Sequence, residues 1–208
     1  MKKALVISGG GSKGAFAGGV AQYLMENQGK EYDLFLGTST GSLMVSHLAL
    51  GMLDELKELY TNVNQKTIFS NNPFKIKKVD GEKVVSIRHL NTLWNFLNGR
   101  KTFGESKNLR RLIKTKITKE MYAKIRGENK EVVVTVSNLT VNQVEYKSIQ
   151  ECTYDDFCDW IWGSCNYIPF MSLLEKNHYQ YADGGFGSLV PIREAILRGA
   201  TEIDAIIL

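Results

Sequence analysis

Histidine, proline and cysteine are scarce in this chain, at three residues each among 208. With His47, His89 and His178 as the whole supply, a nucleophile that needs a basic partner must use one of them or do without histidine. The cysteines, Cys152, Cys158 and Cys165, are odd in number, with five and six residues between neighbours. That spacing suits neither C-x-x-C redox chemistry nor a common zinc site, so they read as small buried hydrophobes in a reducing compartment. No metal and no cofactor is expected. No Pro/Ser-rich linker, internal repeat or low-complexity tract divides the chain, and residues 1–208 are expected to form one domain. Long apolar runs are missing as well. None reaches the roughly 18 residues of a membrane-spanning helix, and the start, MKKALVISGGG, is too short for a signal-peptide core. A cytoplasmic protein is the expectation, one that touches membranes at most peripherally. The chain stops in an apolar strand, TEIDAIIL, which suggests a fold that continues past Leu208.

What is present is a strong charge asymmetry. Between Lys75 and Lys130 there are 16 Lys+Arg against 5 Asp+Glu, a net of +11, within a chain whose total is +4. A solvated basic face or attraction to an anionic surface would account for it. Inside this region LNTLWNFLNGRKTF sets Leu93, Trp94, Phe96 and Leu97 beside Arg100 and Lys101, as an interfacial element would. No aromatic-plus-glycine RNA-binding motif is present, so an anionic membrane ranks above nucleic acid as the partner of residues 75–130.

Apolar runs alternate with helical patterns along the chain. KALVIS and YDLFLG read as buried strands, each followed by a helix, and KEVVVTVSNL is the clearest strand, with QVEYKSI as its neighbour. SKNLRRLIKTKI reads as a helix capped by Ser106, YDDFCDWIWGSC as another, and HYQYADGG as a strand ending in glycines. Alternation of this kind predicts an α/β fold, a mainly parallel central sheet with helices on both faces in three layers. Ligands in such sheets bind beyond the carboxyl ends of strands. Three distinctive loops fall at strand ends: Gly9–Gly14, Gly37–Gly41 and Asp183–Gly185. They are expected to converge.

The middle loop, GTSTG, places Ser39 between Gly37 and Gly41 in the pattern G-x-S-x-G, after a strand and before a helix. That context marks a nucleophile elbow, whose glycines leave room for a strained turn and whose helix start favours negative charge. The first loop, SGGGSKG, matches G-x-G-x-x-G at Gly9, Gly11 and Gly14. A dinucleotide site would need an acid at the far end of the second strand, but Asp33 opens that strand. A phosphate loop would need Ser or Thr after Lys13, where Gly14 stands. The remaining functional reading is an oxyanion hole, in which glycine amides face a developing negative charge.

For the proton of Ser39, His47 lies eight residues along the same helix, about 12 Å away. His178 stands five residues before Asp183, about 16 Å along a strand, and His89 has no supporting pattern. All three histidines read as surface or turn residues. Asp183 stands at a strand end before Gly184 and Gly185, where desolvation would raise its pKa toward that of a useful base.

These motifs together resemble the patatin-like phospholipase family. The resemblance runs through LVISGGGSKGAFAGGV, FLGTSTGSL, VTVSNLT, WIWGSCNYIPF and YADGGFGSLVPIREAILRGA, leaving only the basic middle unmatched. It implies a serine acyl hydrolase of phospholipase A or lysophospholipase type acting on acyl lipids. Ser39 would be nucleophile, Asp183 base, and the glycine loop (Gly9, Gly10, Gly11) the oxyanion hole. It also implies a head-group contact for Lys13. Ser8 departs from the acid that precedes the glycines in plant members, and the bulk of WIWGSC implies a narrower acyl pocket. Two other readings stay open. One is a triad of Ser39, His178 and one of Asp155, Asp156 or Asp159; the other is a dinucleotide- or lipid-binding module without turnover.

Overall fold

The computed structural model describes residues 1–79 and 81–208. Asp80, one of the acids counted in the basic middle, lies outside the described residues. The first third of the chain runs β1 (Lys3–Ile7), α1 (Gly14–Gln22), β2 (Leu34–Thr38), α2 (Thr40–Ala49), α3 (Leu53–Asn62) and α4 (Gln65–Ile68). The basic middle follows as β3 (Phe74–Val79), β4 (Glu82–Ile87), α5 (His89–Leu97), α6 (Lys107–Lys116) and α7 (Lys119–Gly127). The remainder is β5 (Glu131–Asn138), β6 (Gln143–Ser148), α8 (Tyr154–Ser164), β7 (Leu174–Lys176), β8 (Tyr179–Asp183), α9 (Ile192–Leu197) and β9 (Glu202–Ile206).

Strands β9, β1, β2 and β5 lie side by side and parallel, and β6, β7 and β8 extend the sheet antiparallel. The parallel strands are continuous apolar runs because both of their faces are covered. Alternate residues go to opposite sides. Leu5, Ile7, Phe35, Val134 and Val136 join the larger core against the buried helices, among them α2 and α8, while Ala4, Val6, Leu34, Leu36 and Val133 face Ala195 of α9. The fold is the expected three-layer α/β/α arrangement around a mostly parallel sheet.

Strand β8 runs antiparallel to β5. It does not run alongside β2. Residues Val136–Asn138 of β5 pair with β6 on one edge and with β8 on the other, whereas residues 131–135 pair with β2. Strands β2 and β8 therefore share one edge of β5 and meet end to end. Thr38 closes β2 opposite Thr135, and Asp183 closes β8 opposite Val136, the next residue. This collision of two strand ends brings together segments that lie 144 residues apart in sequence.

Candidate active site

Ser39 forms the one-residue turn between β2 and α2, at φ 52° and ψ −119°. A non-glycine residue in that region costs on the order of 1–3 kcal/mol and persists only when its surroundings hold it. Here both sides of the residue are held. Its N–H donates to Ser164 Oγ at 3.0 Å, and its carbonyl accepts from Ser42 Oγ at 2.6 Å and Cys165 Sγ at 3.1 Å. Burial pushes the Cys165 thiol pKa up, so it stays a protonated donor. Ser164 and Cys165 end α8 and were not among the site residues legible from the motifs.

The two glycines around the turn are required by contact. A Cβ on Gly37 would lie 2.4 Å from the Gly41 carbonyl carbon, and one on Gly41 would lie 2.3 Å from the Ile7 carbonyl oxygen. The start of α2 thus sits directly on the ends of β1 and β2, and the positive end of its dipole lies beside Ser39.

Asp183 is buried, and its two carboxylate oxygens have separate donors. Oδ2 accepts from Ser39 Oγ at 2.6 Å and Oδ1 accepts from the Gly185 N–H at 2.8 Å. Desolvation raises its pKa above the ordinary aspartate range, against the opposing pull of these two hydrogen bonds. Its own N–H donates to the Asn166 carbonyl at 3.0 Å. Gly184 permits the approach, since a Cβ there would lie 2.3 Å from the Thr135 carbonyl oxygen.

The glycine loop borders the same place. A Cβ on Gly9 would meet Ser39 Cβ at 3.2 Å, and Thr40 Oγ1 donates to the Gly11 carbonyl at 2.8 Å. Gly14 packs under Tyr60 and Thr40. One expectation changes here. The Gly9 N–H donates to the Leu189 carbonyl at 3.2 Å and is not free to meet an oxyanion. Among the described residues the Gly10 and Gly11 amides have no acceptor. Lys13 is exposed and stands outside the lining of the cavity described next.

Ser39, Asp183 and Gly9–Gly11 lie at one end of a cavity of about 860 Å³. Its walls are mainly apolar and come from α2, α3, α4 and α6, with Leu43, Ile68, Leu109 and Ile113 among them. The tryptophans of WIWGSC do not narrow it. Trp160 packs edge-on against Tyr181, and Trp162 Nε1 donates to the Ser106 carbonyl and hydroxyl. Ser106 precedes α6 without capping it through its side chain; its hydroxyl donates to Asn166 Oδ1 instead.

The histidines are not gathered at the serine. His178 forms, with Asn177, the two-residue turn between β7 and β8, both at positive φ (66° and 52°), at the opposite end of β8 from Asp183. Asp155, Asp156 and Asp159 are engaged by Lys114, Lys176 and Arg110. His89 is exposed at the start of α5. His47 is not a surface residue but is buried, two turns along α2 from Ser39. Asp33 accepts from the Lys3 N–H at the opening of β2, at the opposite end of that strand from the Ser39 turn. All three cysteines are free, and among the described residues no group of three or more His, Cys, Asp or Glu could hold a metal ion.

The site thus joins, on a three-layer α/β/α sheet, a serine at a strained strand–helix turn and a buried aspartate that accepts from its hydroxyl. The family follows from comparison. A model of the patatin-like phospholipase family matches residues 5–196, and the chain belongs to that family. No curated protein matches its sequence. Among solved structures it resembles VipD from Legionella pneumophila, with a TM-score of 0.63 and 17% sequence identity. The match covers 99% of this chain and 49% of that one, so this chain spans about half the length of VipD. At that identity the likeness is one of fold.

Proposed function

We propose that residues 1–208 form one catalytic domain that hydrolyses acyl-lipid esters through a Ser39–Asp183 dyad. The observation that carries the reading is the 2.6 Å hydrogen bond from Ser39 Oγ to Asp183 Oδ2 at the head of an apolar cavity. Ser39 Oγ attacks the ester carbonyl while Asp183 takes its proton. The tetrahedral oxyanion is met by the Gly10 and Gly11 amides and the positive end of α2. Asp183 then gives the proton to the departing alcohol, and later accepts one from the water that cleaves the acyl-enzyme. Lys13, exposed beside the glycine loop, suits a phosphate head group of a phospholipid or lysophospholipid. The free cysteines agree with a reducing, cytoplasmic setting. A fluorophosphonate probe should label the wild type and fail to label Ser39→Ala; labelling that survives the substitution overturns the assignment.

The second half of the reading is peripheral contact with an anionic bilayer. Among the described residues no helix is long and apolar enough to cross a membrane. Helix α5 is instead inverted relative to an ordinary surface helix. Its one buried residue is Asn95, which accepts from Asn71 Nδ2 and donates to the Phe103 carbonyl. Leu90, Leu93, Trp94 and Leu97, at i, i+3, i+4 and i+7, are 85, 56, 65 and 72% exposed on one face. Phe96, expected to insert with them, packs edge-on against Phe103. Next to α5, one face of the β3–β4 hairpin carries the cross-strand pairs Phe74–Ile87, Ile76–Val85 and Lys78–Lys83. Phe74 also lines the cavity, so this strip leads from the cavity to a pair of lysines at the hairpin tip. Apolar groups flanked by cations fit the interface of an anionic membrane.

Binding to anionic vesicles should be strong at low salt and weaken near physiological ionic strength, where the Debye length is about 8 Å. Trp94→Ser combined with Leu97→Ser should cut vesicle binding and hydrolysis of vesicle lipid far more than hydrolysis of a soluble short-chain ester. Equal loss on both substrates would mean that α5 supports the cavity and not the membrane contact.

A further inference from the structure

The dyad leaves one buried titratable side chain near the cavity without a role. His47 is 2% exposed. Helix α2 forms a long wall of the cavity, presenting Ser39, Thr40, Leu43 and His47 in succession. Eight residues of helix span about 12 Å, so an acyl chain esterified to Ser39 and running along α2 reaches His47 at the far end. Burial holds the imidazole pKa below its ordinary value and the ring neutral.

Behind His47 lies a second, smaller recess of about 210 Å³. Met52 and Met121 supply apolar surface there, and Glu55 and Glu58 also line it. Three residues line both spaces: His47 from α2, Leu59 from α3 and Lys116 at the end of α6. The partition between them is therefore one imidazole ring, one leucine and one lysine stem. Hydrocarbon can advance along apolar walls until a close-packed side chain blocks it, because packed interiors leave no void wide enough for further methylenes.

We propose that His47, together with Leu59, is the stop that sets the longest acyl chain the cavity accepts. The recess behind it would take the methyl end of a longer chain once the partition is opened. This rests on the proposed role of the cavity as the acyl-chain site. His47 and Leu59 act on which substrate fits and not on the bond being broken, so they are specificity-determining residues.

The test is kcat/KM over a series of p-nitrophenyl esters of increasing acyl length, for wild type, His47→Ala and Leu59→Ala. The wild type should lose efficiency beyond a limiting length. Each variant should move that limit to longer chains, raising the ratio of long-chain to short-chain kcat/KM by about tenfold or more. Leu59 is only half-buried, so its variant keeps the test decisive if removal of the buried His47 unfolds the protein. Leu59→Trp should move the limit the other way. An unchanged length profile in Leu59→Ala that still reacts with a fluorophosphonate overturns the proposal. Failure of the dyad reading is separate, since it would appear as Ser39→Ala retaining hydrolysis at every chain length.

Discussion

Asp183→Asn is expected to lower ester hydrolysis by on the order of 10²–10⁴-fold while leaving the fold at least as stable as the wild type. The two effects have one cause. Asp183 is 4% exposed, and desolvation, the largest influence on it, raises its pKa above the ordinary value of 3.8. The hydrogen bonds from Ser39 and Gly185 pull the other way without cancelling that rise. A carboxyl whose folded pKa lies above its unfolded one stabilises the fold fully when protonated, below the unfolded value. That contribution is lost as pH rises through the folded pKa. At neutral pH the ionised side chain is thus a cost to folding that a neutral, isosteric asparagine does not bear. The asparagine oxygen still accepts a hydrogen bond, but it cannot take the serine proton. For the wild type, kcat/KM should fall on acidification through the raised pKa, with its acid limb above 3.8. Thermal melts at neutral and acid pH and the pH profile of kcat/KM check both halves. Substantial hydrolysis by Asp183→Asn would place the base elsewhere.

Ser39 and Asp183 are legible in the sequence because each lies in an unbroken motif, GTSTG and YADGG, whose glycines are required by close backbone contacts. The direction of β8 is not legible. Alternation and composition are the same for a strand running with β5 or against it, so the end-to-end meeting of β2 and β8 appears only in the register. The clamp on Ser39 from Ser164 and Cys165 is hidden for a related reason: it depends on where α8 stops relative to a turn 125 residues earlier. The hairpin β3–β4 gave no strand pattern, since residues 82–86 are exposed on both faces and nothing forces apolar and polar positions to alternate. For α5 the spacing marks an apolar stripe correctly but cannot tell which side faces the protein, and Asn95 decides it. The burial of His47 did leave a signal. SLMVSHLALG is apolar around its whole circumference, and every residue of α2 except Leu43 is buried.

Gly41→Ala should be the most damaging substitution outside the dyad itself. The added Cβ would lie 2.3 Å from the Ile7 carbonyl oxygen and 2.9 Å from its carbonyl carbon. Neither atom has freedom to retreat, because Ile7 pairs with Gly37 of β2 on one side and Ile206 of β9 on the other. Helix α2 must lift away from the sheet instead, and Ser39, one residue before its start, moves with it. Overpacking of this kind costs about 1–3 kcal/mol of stability, and misplacing a catalytic group by 1 Å costs about 10²-fold in rate. The Ser39–Asp183 bond of 2.6 Å leaves little slack for such a shift. Gly19→Ala provides the contrast, since its Cβ would meet nothing within 4 Å on a helical backbone in α1. That change should leave hydrolysis intact and add about 0.4–1 kcal/mol of stability by reducing the freedom of the unfolded chain. Thermal melts, fluorophosphonate labelling rates and kcat/KM on a short-chain ester separate the two variants. Wild-type labelling and turnover in Gly41→Ala would show that the start of α2 can shift without moving the nucleophile.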